Sequence, residues 1–205
     1  MSSVVIRNFQ PDDTNDLYDV CLRTGNAGAD ATALTRAPRL LGEVFVGPYL
    51  AFAPELVLVA DDGRTAAGYA IGTLDTAQFQ QWCALQWWPR VQQRYGDPSV
   101  GPTGLLPLDD EVATLLHQPE LITHPALPGY PSHLHIDLLE HIRGAGTGRH
   151  MMEQLFALLG TRGSPGVHLG VALANTGART FYARLGFREL LQRGDEVFLG
   201  LQLTS

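Results

Sequence analysis

The last third of the chain alternates strand-like and helix-like segments, and this order limits the possible folds more than any other sequence feature. Alternating and β-branched residues predict four strands, at 133–139, 166–172, 187–191 and 197–203. Apolar residues at helical spacing predict two helices between them, at 148–159 and 176–185. Strands joined through helices run parallel, and strands joined by short turns run antiparallel. The order β-α-β-α-β-β therefore predicts an α/β fold of the α+β type with a mixed sheet.

The first half of the chain contains a second group of predicted strands. They lie at 4–7, 56–60 and 66–74. The residues at 61–64 form a hairpin turn between the last two, so these strands predict an antiparallel meander. Helices are predicted to begin near Pro11 and to occupy part of 38–53.

Residues 75–131 differ from their surroundings because they are rich in tryptophan, proline and glycine. We interpret them as an insertion that contains some helix, including 109–116, and that packs onto the sheet. The length of 205 residues fits one large domain or two small ones, and the strand order favours one domain over 1–205.

The composition excludes several classes of protein. The net charge of −7 disfavours nucleic acid as a partner, because phosphate binding needs a basic face. All 14 basic residues are arginines, so neither a lysine Schiff base nor a P-loop is possible. No signal peptide and no apolar run of about 18 residues is found, so no membrane association is expected. Two distant cysteines favour a reducing cytoplasm, and the abundance of Ala, Gly, Leu and Arg indicates a bacterial source.

The segment between the predicted strand at 133–139 and the next helix is rich in glycine. It consists of Arg143-Gly144-Ala145-Gly146-Thr147-Gly148-Arg149. Glycines let the backbone approach a ligand, and a helix N-terminus offers free N–H donors and a positive dipole end to a pyrophosphate. The Rossmann fingerprint requires a third glycine where Arg149 stands, and the P-loop requires a lysine. The sequence therefore predicts a different phosphate-binding turn, and the alternative is a helix entry that is merely glycine-rich.

Two motifs in this region resemble the GNAT superfamily of N-acetyltransferases. Arg143-x-x-Gly146-x-Gly148 matches its cofactor signature, and Asn175-x-x-Ala178-x-x-Phe181-Tyr182-x-x-x-Gly186-Phe187 matches a second family pattern. Within the superfamily, the segments at 133–139 and 166–171 look most like the acetyltransferase-like domain of O-GlcNAcases and its free-standing bacterial relatives.

The resemblance implies a GNAT fold, with a mixed twisted sheet of about six to seven strands and helices on both faces. Its central parallel strands would splay apart, and a bulge near Leu138 and Leu139 would expose backbone groups to pantetheine. It further implies acetyl-CoA as acyl donor. The implied cofactor-binding residues are Leu138, Leu139, Arg143, Gly144, Ala145, Gly146, Thr147, Gly148, Arg149, Asn175 and Tyr182.

Transfer of an acetyl group to an amine requires a base for the ammonium and benefits from an acid for the departing thiolate. Tyr182 resembles the family's acid, and the alternative is a tyrosine packed under its helix. His133, His135 and Asp137 alternate along one strand and so face the same side. His135 or Asp137 is the favoured base and His133 the less favoured; alternatively, all three are structural core residues.

A His-x-His pair also occurs in metal sites, but no third ligand has a suitable spacing, so no metal is predicted. The expected acceptor is an amine-bearing small molecule or peptide, with specificity from residues 25–55 and from the insertion. The alternative to an enzyme is a catalytically silent acetyltransferase-like module that binds partners and still binds acetyl-CoA.

Overall fold

Seven strands form one sheet in the computed structural model, which describes residues 4–119, 121–122 and 127–203. Their order across the sheet is β1-β2-β3-β4-β5-β7-β6. The strands are β1 (Val5–Asn8), β2 (Val57–Asp61), β3 (Ala66–Thr73), β4 (Ser132–Leu138), β5 (Gly166–Ala172), β6 (Arg188–Arg193) and β7 (Glu196–Gln202). The predicted mixed sheet of six to seven strands is thus confirmed. The ends of the predicted domain and residues 120 and 123–126 of the predicted insertion lie outside the described residues.

Eight α-helices connect these strands within the described part of the chain. They are α1 (Thr14–Thr24), α2 (Leu40–Phe45), α3 (Gly47–Phe52), α4 (Thr76–Trp82), α5 (Trp88–Gln92), α6 (Pro107–His117), α7 (Thr147–Thr161) and α8 (Thr176–Arg184). A π-helical turn, Cys83–Trp87, joins α4 to α5, and short 3-10 turns cover Pro11–Asp13, Thr32–Leu34, Pro54–Leu56 and Glu140–Ile142. Among the described helices, none is long and apolar enough to cross a bilayer.

The helices cover both faces of the sheet. On one face, α7 buries Met151, Met152 and Leu155 completely against β2, β3 and β4. On the other face, α1 lies against β3 and β4 and buries Leu17 and Val20. The buried positions on each helix recur every three or four residues, which is the spacing that had predicted them.

The central parallel pair separates after a short contact. β4 pairs with β5 only at Ser132↔Val167 and His133↔His168. Both strands continue for several residues beyond this point, β4 to Leu138 and β5 to Ala172, bound only to their outer neighbours β3 and β7. The predicted splay is therefore confirmed, and it leaves one backbone edge of β4 and one of β5 open to a cleft.

The expected bulge near Leu138 and Leu139 is wrong. The β3–β4 ladder runs without a shift from Thr73↔His133 to Gly68↔Leu138, and Leu139 N–H then bonds to Ala67 O at 2.9 Å. A register shift occurs one strand away, where Ala60 pairs with Gly68 but Asp61 pairs with Ala66. The backbone of β4 is exposed because β5 diverges, and no extra residue in β4 is needed.

The insertion packs mainly on the helices of one sheet face. Trp87 Nε1 donates a hydrogen bond to the carbonyl oxygen of Glu43 in α2 at 2.8 Å, and the Phe79 ring stacks on Tyr49 of α3 at 4.4 Å. The insertion also reaches the sheet itself. The Phe79 ring lies 5.2 Å from that of His133, Thr76 Oγ1 lies 2.8 Å from His133 Nδ1, and Tyr130 O accepts from His168 Nδ1 at 2.7 Å. The segment 75–131 thus contacts both the sheet and the helices α2 and α3, and its interpretation as an insertion stays a prediction.

Candidate active site

A cleft of about 760 Å³ opens where β4 and β5 separate. Eight of the residues predicted to bind the cofactor line it: Leu138, Arg143, Gly144, Gly146, Gly148, Arg149, Asn175 and Tyr182. Three predicted residues, Leu139, Ala145 and Thr147, are not among its lining residues. Leu139 and Thr147 are both buried, which keeps their side chains out of the cleft lining.

The glycine-rich turn has the geometry of an anion site. Gly144 and Gly146 have φ of 85° and 87°, a region that side chains disfavour, and Gly146 is the N-cap of α7. The first intrahelical hydrogen bond joins His150 N–H to Gly146 O at 3.0 Å. The N–H groups of the three preceding helical residues, 147–149, therefore remain available at the positive end of the helix dipole.

Gly148 sets the width of the cleft beside this turn. A β-carbon there would lie 3.3 Å from Leu138 Cδ1 and 3.4 Å from Phe181 Cζ. Because the helix, β4 and α8 come this close together, a larger side chain would enter the space between them. Gly148 is thus needed because the neighbouring elements pack closely, whereas Gly146 is needed because its φ is positive.

Arg143 ties the turn to two other parts of the cleft wall. Its Nε donates to Leu138 O at 2.7 Å and its Nη2 donates to Gly28 O at 3.1 Å. Gly28, with φ of 92°, and Ala27, with φ of 51°, also line the cleft. Sequence reasoning missed this loop, although an asparagine and a glycine within three residues, Asn26-Ala27-Gly28, are typical of a turn with positive φ.

The free edge of β4 directs backbone donors into the cleft. Because Leu139 N–H bonds to β3, the alternation of an antiparallel ladder points the N–H groups of Leu138 and Ile136 towards the opposite edge. Both residues line the cleft. They are candidate donors to a thioester carbonyl oxygen, and Ile136 had not been predicted.

A second, smaller cavity of about 130 Å³ adjoins the first on the side of α1 and α2. It is lined by Cys21, Thr24, Gly25, Leu41, Phe45, Tyr69, His135 and Asp137. His135 and Asp137 line both this cavity and the large cleft, so the two spaces meet at these side chains. Three of the lining residues, Gly25, Leu41 and Phe45, lie within 25–55, where acceptor specificity was expected, and none of the described insertion residues lines the cavity.

Asp137 is held by a tyrosine on the neighbouring strand. The Tyr69 hydroxyl donates to Asp137 Oδ2 at 2.6 Å, because Tyr69 and Asp137 are cross-strand partners on β3 and β4. Burial raises the pKa of Asp137 to about 6, although the Tyr69 hydrogen bond and the charge of Arg143 oppose the shift. The carboxylate is therefore ionised at neutral pH and is a stronger base than an ordinary aspartate.

His133 is engaged on both ring nitrogens. Thr76 Oγ1 donates to Pro131 O at 2.8 Å, so its contact with His133 Nδ1, also 2.8 Å, requires an N–H on the ring. His133 Nε2 then accepts from the Tyr49 hydroxyl at 2.6 Å. Burial lowers the pKa of His133 well below its usual range. A neutral ring with both nitrogens occupied is a structural group, which agrees with the alternative interpretation of this residue.

His135 lies one step further along β4 and is open to the cleft. Its ring is exposed and packs edge-on against Tyr49 at 5.6 Å. Desolvation by the surrounding protein lowers the pKa of His135, and the charge of His168 lowers it further. The ring is therefore neutral at physiological pH. It reaches the site but brings no negative charge to it.

Tyr182 enters the cleft from α8. The residue is 8% exposed, and its ring packs against Phe181 and Phe187 at 5.3 and 5.5 Å. Burial, together with the negative charge of Asp137, raises the pKa of Tyr182 above its usual value. The hydroxyl is therefore protonated throughout the physiological range and has a proton to donate.

Asn175 caps the helix that carries Tyr182. Its side-chain oxygen accepts from Ala178 N–H at 3.0 Å, which satisfies a free donor at the start of α8. The amide nitrogen of the same side chain stays available to the cleft, which Asn175 lines. Among the described residues, no group of three or more histidines, cysteines or acidic residues is arranged to hold a metal ion.

This arrangement of splayed strands, glycine turn and capped helix is that of an acetyltransferase fold, and comparison with known proteins agrees. The sequence profile of the Acetyltransferase (GNAT) family matches residues 117–187. The crystal structure of SsHAT is 41% identical with a TM-score of 0.92, over 99% of this chain and 100% of that one. The chain therefore belongs to the GNAT family of acetyltransferases.

Two further proteins are similar to this chain. Protein O-GlcNAcase from Rattus norvegicus is 26% identical over 202 residues, which cover 97% of this chain. The match spans only 22% of that relative's length, so it concerns one region of a much larger protein. The structure of yncA, a putative acetyltransferase from Salmonella typhimurium with its cofactor acetyl-CoA, shares the fold at 14% identity and a TM-score of 0.54, over 98% and 95% of the two chains.

Proposed function

We propose that this protein is an N-acetyltransferase that transfers the acetyl group of acetyl-CoA directly to an amine. One observation carries the proposal: Asp137 and His135 line both the cofactor cleft and the smaller cavity. An amine in the smaller cavity therefore lies next to a base and next to the open edge of β4. Acetyl-CoA supplies the thioester, and the structure of the yncA acetyltransferase with acetyl-CoA supports this choice of donor.

The cofactor-binding roles follow from the cleft. The N–H groups at the start of α7, with Arg143 and Arg149, bind the pyrophosphate, and the open edge of β4 at Ile136 and Leu138 binds pantetheine. The Asn175 amide nitrogen adds a donor from the opposite wall.

Two side chains exchange protons with the reactants: Asp137 accepts a proton and Tyr182 donates one. Asp137 accepts the proton that the ammonium loses, because it is negatively charged and its pKa is raised to about 6. The amine nitrogen bonds to the acetyl carbon, the carbon–sulfur bond breaks, and Tyr182 gives its proton to the thiolate. The second proton on the nitrogen then returns Tyr182 to its protonated state, and Asp137 releases the first proton to solvent. His135 forms part of the wall between the two spaces.

An acetyl-cysteine intermediate is disfavoured by the state of the nearest thiol. Cys21 lines the smaller cavity, but burial raises its pKa to about 12. A protonated thiol is a poor nucleophile. Direct attack by the amine is therefore the mechanism that fits these residues, and the buried free thiols of Cys21 and Cys83 suit a reducing bacterial cytoplasm.

Release of free CoA thiol with a panel of amines and lysine peptides tests the proposal. We expect thiol release above background with at least one acceptor, and a loss of about a hundredfold in Asp137→Asn. Because the chain contains no lysine, any acetyl-lysine found by mass spectrometry belongs to the acceptor. Background release with every acceptor, despite tight acetyl-CoA binding, would instead favour the silent binding module.

A further inference from the structure

The smaller cavity, called the acceptor cavity from here on, has room for only a thin ligand. Its volume of about 130 Å³ is similar to that of a protein cavity of about 150 Å³ that holds benzene. A linear chain of four or five carbons fits such a space. A ligand that branches beside its reacting nitrogen would need more width at the point where the walls meet.

Apolar groups form the outer part of this cavity. Leu41 and Phe45 are four residues apart in α2 and therefore lie on the same face of that helix. Leu41 is buried, whereas Phe45 is 36% exposed, which places its ring at the cavity entrance. An aliphatic stem would replace water against these two side chains.

The inner end of the acceptor cavity is acidic and contains no cation. Asp137 lies there, fixed by the hydroxyl of Tyr69 at 2.6 Å. No arginine occurs among the lining residues of the acceptor cavity, and the sequence has no lysine. The nearby Arg143 is engaged with Leu138 O and Gly28 O in the cofactor cleft. An ammonium is thus matched at this end, whereas a carboxylate beside it would face Asp137 without a partner.

We propose that the acceptor is a primary amine at the end of an unbranched aliphatic stem, with no carboxylate on the carbon that bears the nitrogen. A side-chain amine or a simple alkylamine has this form, and a free α-amino acid does not. The inference rests on the proposed function and specifies its substrate class. Phe45 and Leu41 select the stem, and Asp137 receives the ammonium.

Gly25 sets the opposite wall of the acceptor cavity. Its φ of −70° suits any residue, so a substitution there causes no backbone strain. A β-carbon would, however, lie 2.4 Å from Leu41 Cδ2 and 3.0 Å from Cys21 O. We therefore expect Gly25→Ala to displace the Leu41 side chain and to narrow the cavity that both residues line.

Amine binding to the CoA-loaded protein tests the inference without depending on turnover. Dissociation constants are measured at pH 8 by ligand-observed NMR for two pairs of compounds. The isomers n-butylamine and sec-butylamine differ only in branching, and n-pentylamine and norleucine differ only in the carboxylate. We expect the first member of each pair to bind at least about tenfold more tightly.

Three variants locate the selectivity in the acceptor cavity. Phe45→Ala widens the entrance and should reduce the preference for n-butylamine over its isomer, whereas Gly25→Ala should weaken both amines. Leu34→Ala removes an exposed leucine that does not line the cavity and should change neither. All three are compared at equal CoA saturation.

Equal affinities within the pairs, or no amine binding at all to CoA-loaded protein, would overturn the inference. The proposed function is judged separately, because it fails if acetyl-CoA does not bind or if no acceptor releases thiol. Acetylation of branched amines at the same rate as linear ones would support the proposed function and overturn the proposed selectivity.

Discussion

Asp137 carries a negative charge at a site that the protein solvates poorly. Its folded-state pKa is raised from 3.8 to about 6, so the folded protein holds this proton more tightly than the unfolded chain does. The contribution of Asp137 to stability therefore falls as pH rises from about 4 to about 6. Tyr69 and Cys21, which lie beside the carboxylate, stay protonated over this range, whereas the pKa of His135 is lowered to about 4 and its ring begins to titrate at the acidic end.

Asp137→Asn removes this cost and should raise the free energy of unfolding at pH 8 by about 3 kcal/mol. Near pH 4, where the aspartate is protonated, the two proteins should be equally stable. Urea unfolding at both pH values measures the difference. Asp12→Asn, at an exposed position, serves as control, and a destabilised Asp137→Asn at pH 8 would contradict the burial of this charge.

Tyr182 is expected to act on catalysis and not on cofactor binding. Tyr182→Phe keeps the ring between Phe181 and Phe187 but removes the proton, so kcat should fall about a hundredfold at pH 7. The dissociation constant of acetyl-CoA should stay unchanged. Tyr130→Phe, outside both cavities, is the matched control. An unchanged kcat in Tyr182→Phe would leave Tyr182 as a packing residue.

At the scale of single residues, the sequence predicted on which face of the sheet a side chain lies better than it predicted the hydrogen-bond partners of that side chain. The period of two along β4 correctly placed His133, His135 and Asp137 on one side of the sheet. It could not separate their roles, because those depend on Tyr49, Thr76 and Tyr69, which come from distant parts of the chain. The assignment of Asp137 as the base remains a prediction.

The glycine turn before α7 is the element on which cofactor binding depends most. Gly146→Ala puts a side chain at φ of 87° and should destabilise the protein by about 1 kcal/mol. Gly163 has the same φ after the other end of α7, with open space around it, so Gly163→Ala should cost as much stability. Only Gly146→Ala should also weaken acetyl-CoA binding, because only this change disturbs the donors at the start of α7.

Titration with acetyl-CoA and thermal unfolding of both glycine variants separate the two effects. Equal loss of affinity in both variants would mean that global stability, and not the turn, governs binding.

The cap of α8 gives a prediction about stability and binding together. Asn175→Ala removes the oxygen that accepts from Ala178 N–H and should cost about 1 kcal/mol of stability. Asn175→Asp keeps a capping oxygen and should be nearly as stable as wild type. Both variants lose the amide donor, so both should bind acetyl-CoA more weakly. If Asn175→Asp binds as tightly as wild type, the residue acts as a cap alone.

Element boundaries were largely predictable because each has a local cause. Predicted strand 166–172 and helix 176–185 agree with β5 and α8 within one residue, since Asn175 caps the helix and Gly186, with φ of 93°, ends it. The bulge in β4 was wrong because it came from family resemblance. The divergence of β5 depends on sheet packing, for which the sequence has no local signal.

At the scale of the whole molecule, strand directions were readable from the sequence, whereas the position of β7 between β5 and β6 and the origin of the acceptor cavity were not. β-α-β connections predict which strands run parallel, whereas the splay of β4 and β5 was implied only by the family resemblance. The acceptor cavity forms because α2 is held over β4 by the insertion, through Trp87 and Arg94 at Glu43. These contacts join residues more than 40 positions apart, and no sequence pattern in either segment predicts them.

Calorimetric titration of the purified protein with acetyl-CoA, alongside free CoA and the Gly146→Trp variant, tests the central claim most directly. The structure predicts saturable one-to-one binding of acetyl-CoA with a micromolar dissociation constant, and its loss in Gly146→Trp, because the indole would occupy the anion site at the start of α7. No binding of either ligand by the wild-type protein, or the same affinity in Gly146→Trp, would contradict the assignment of this cleft to acetyl-CoA.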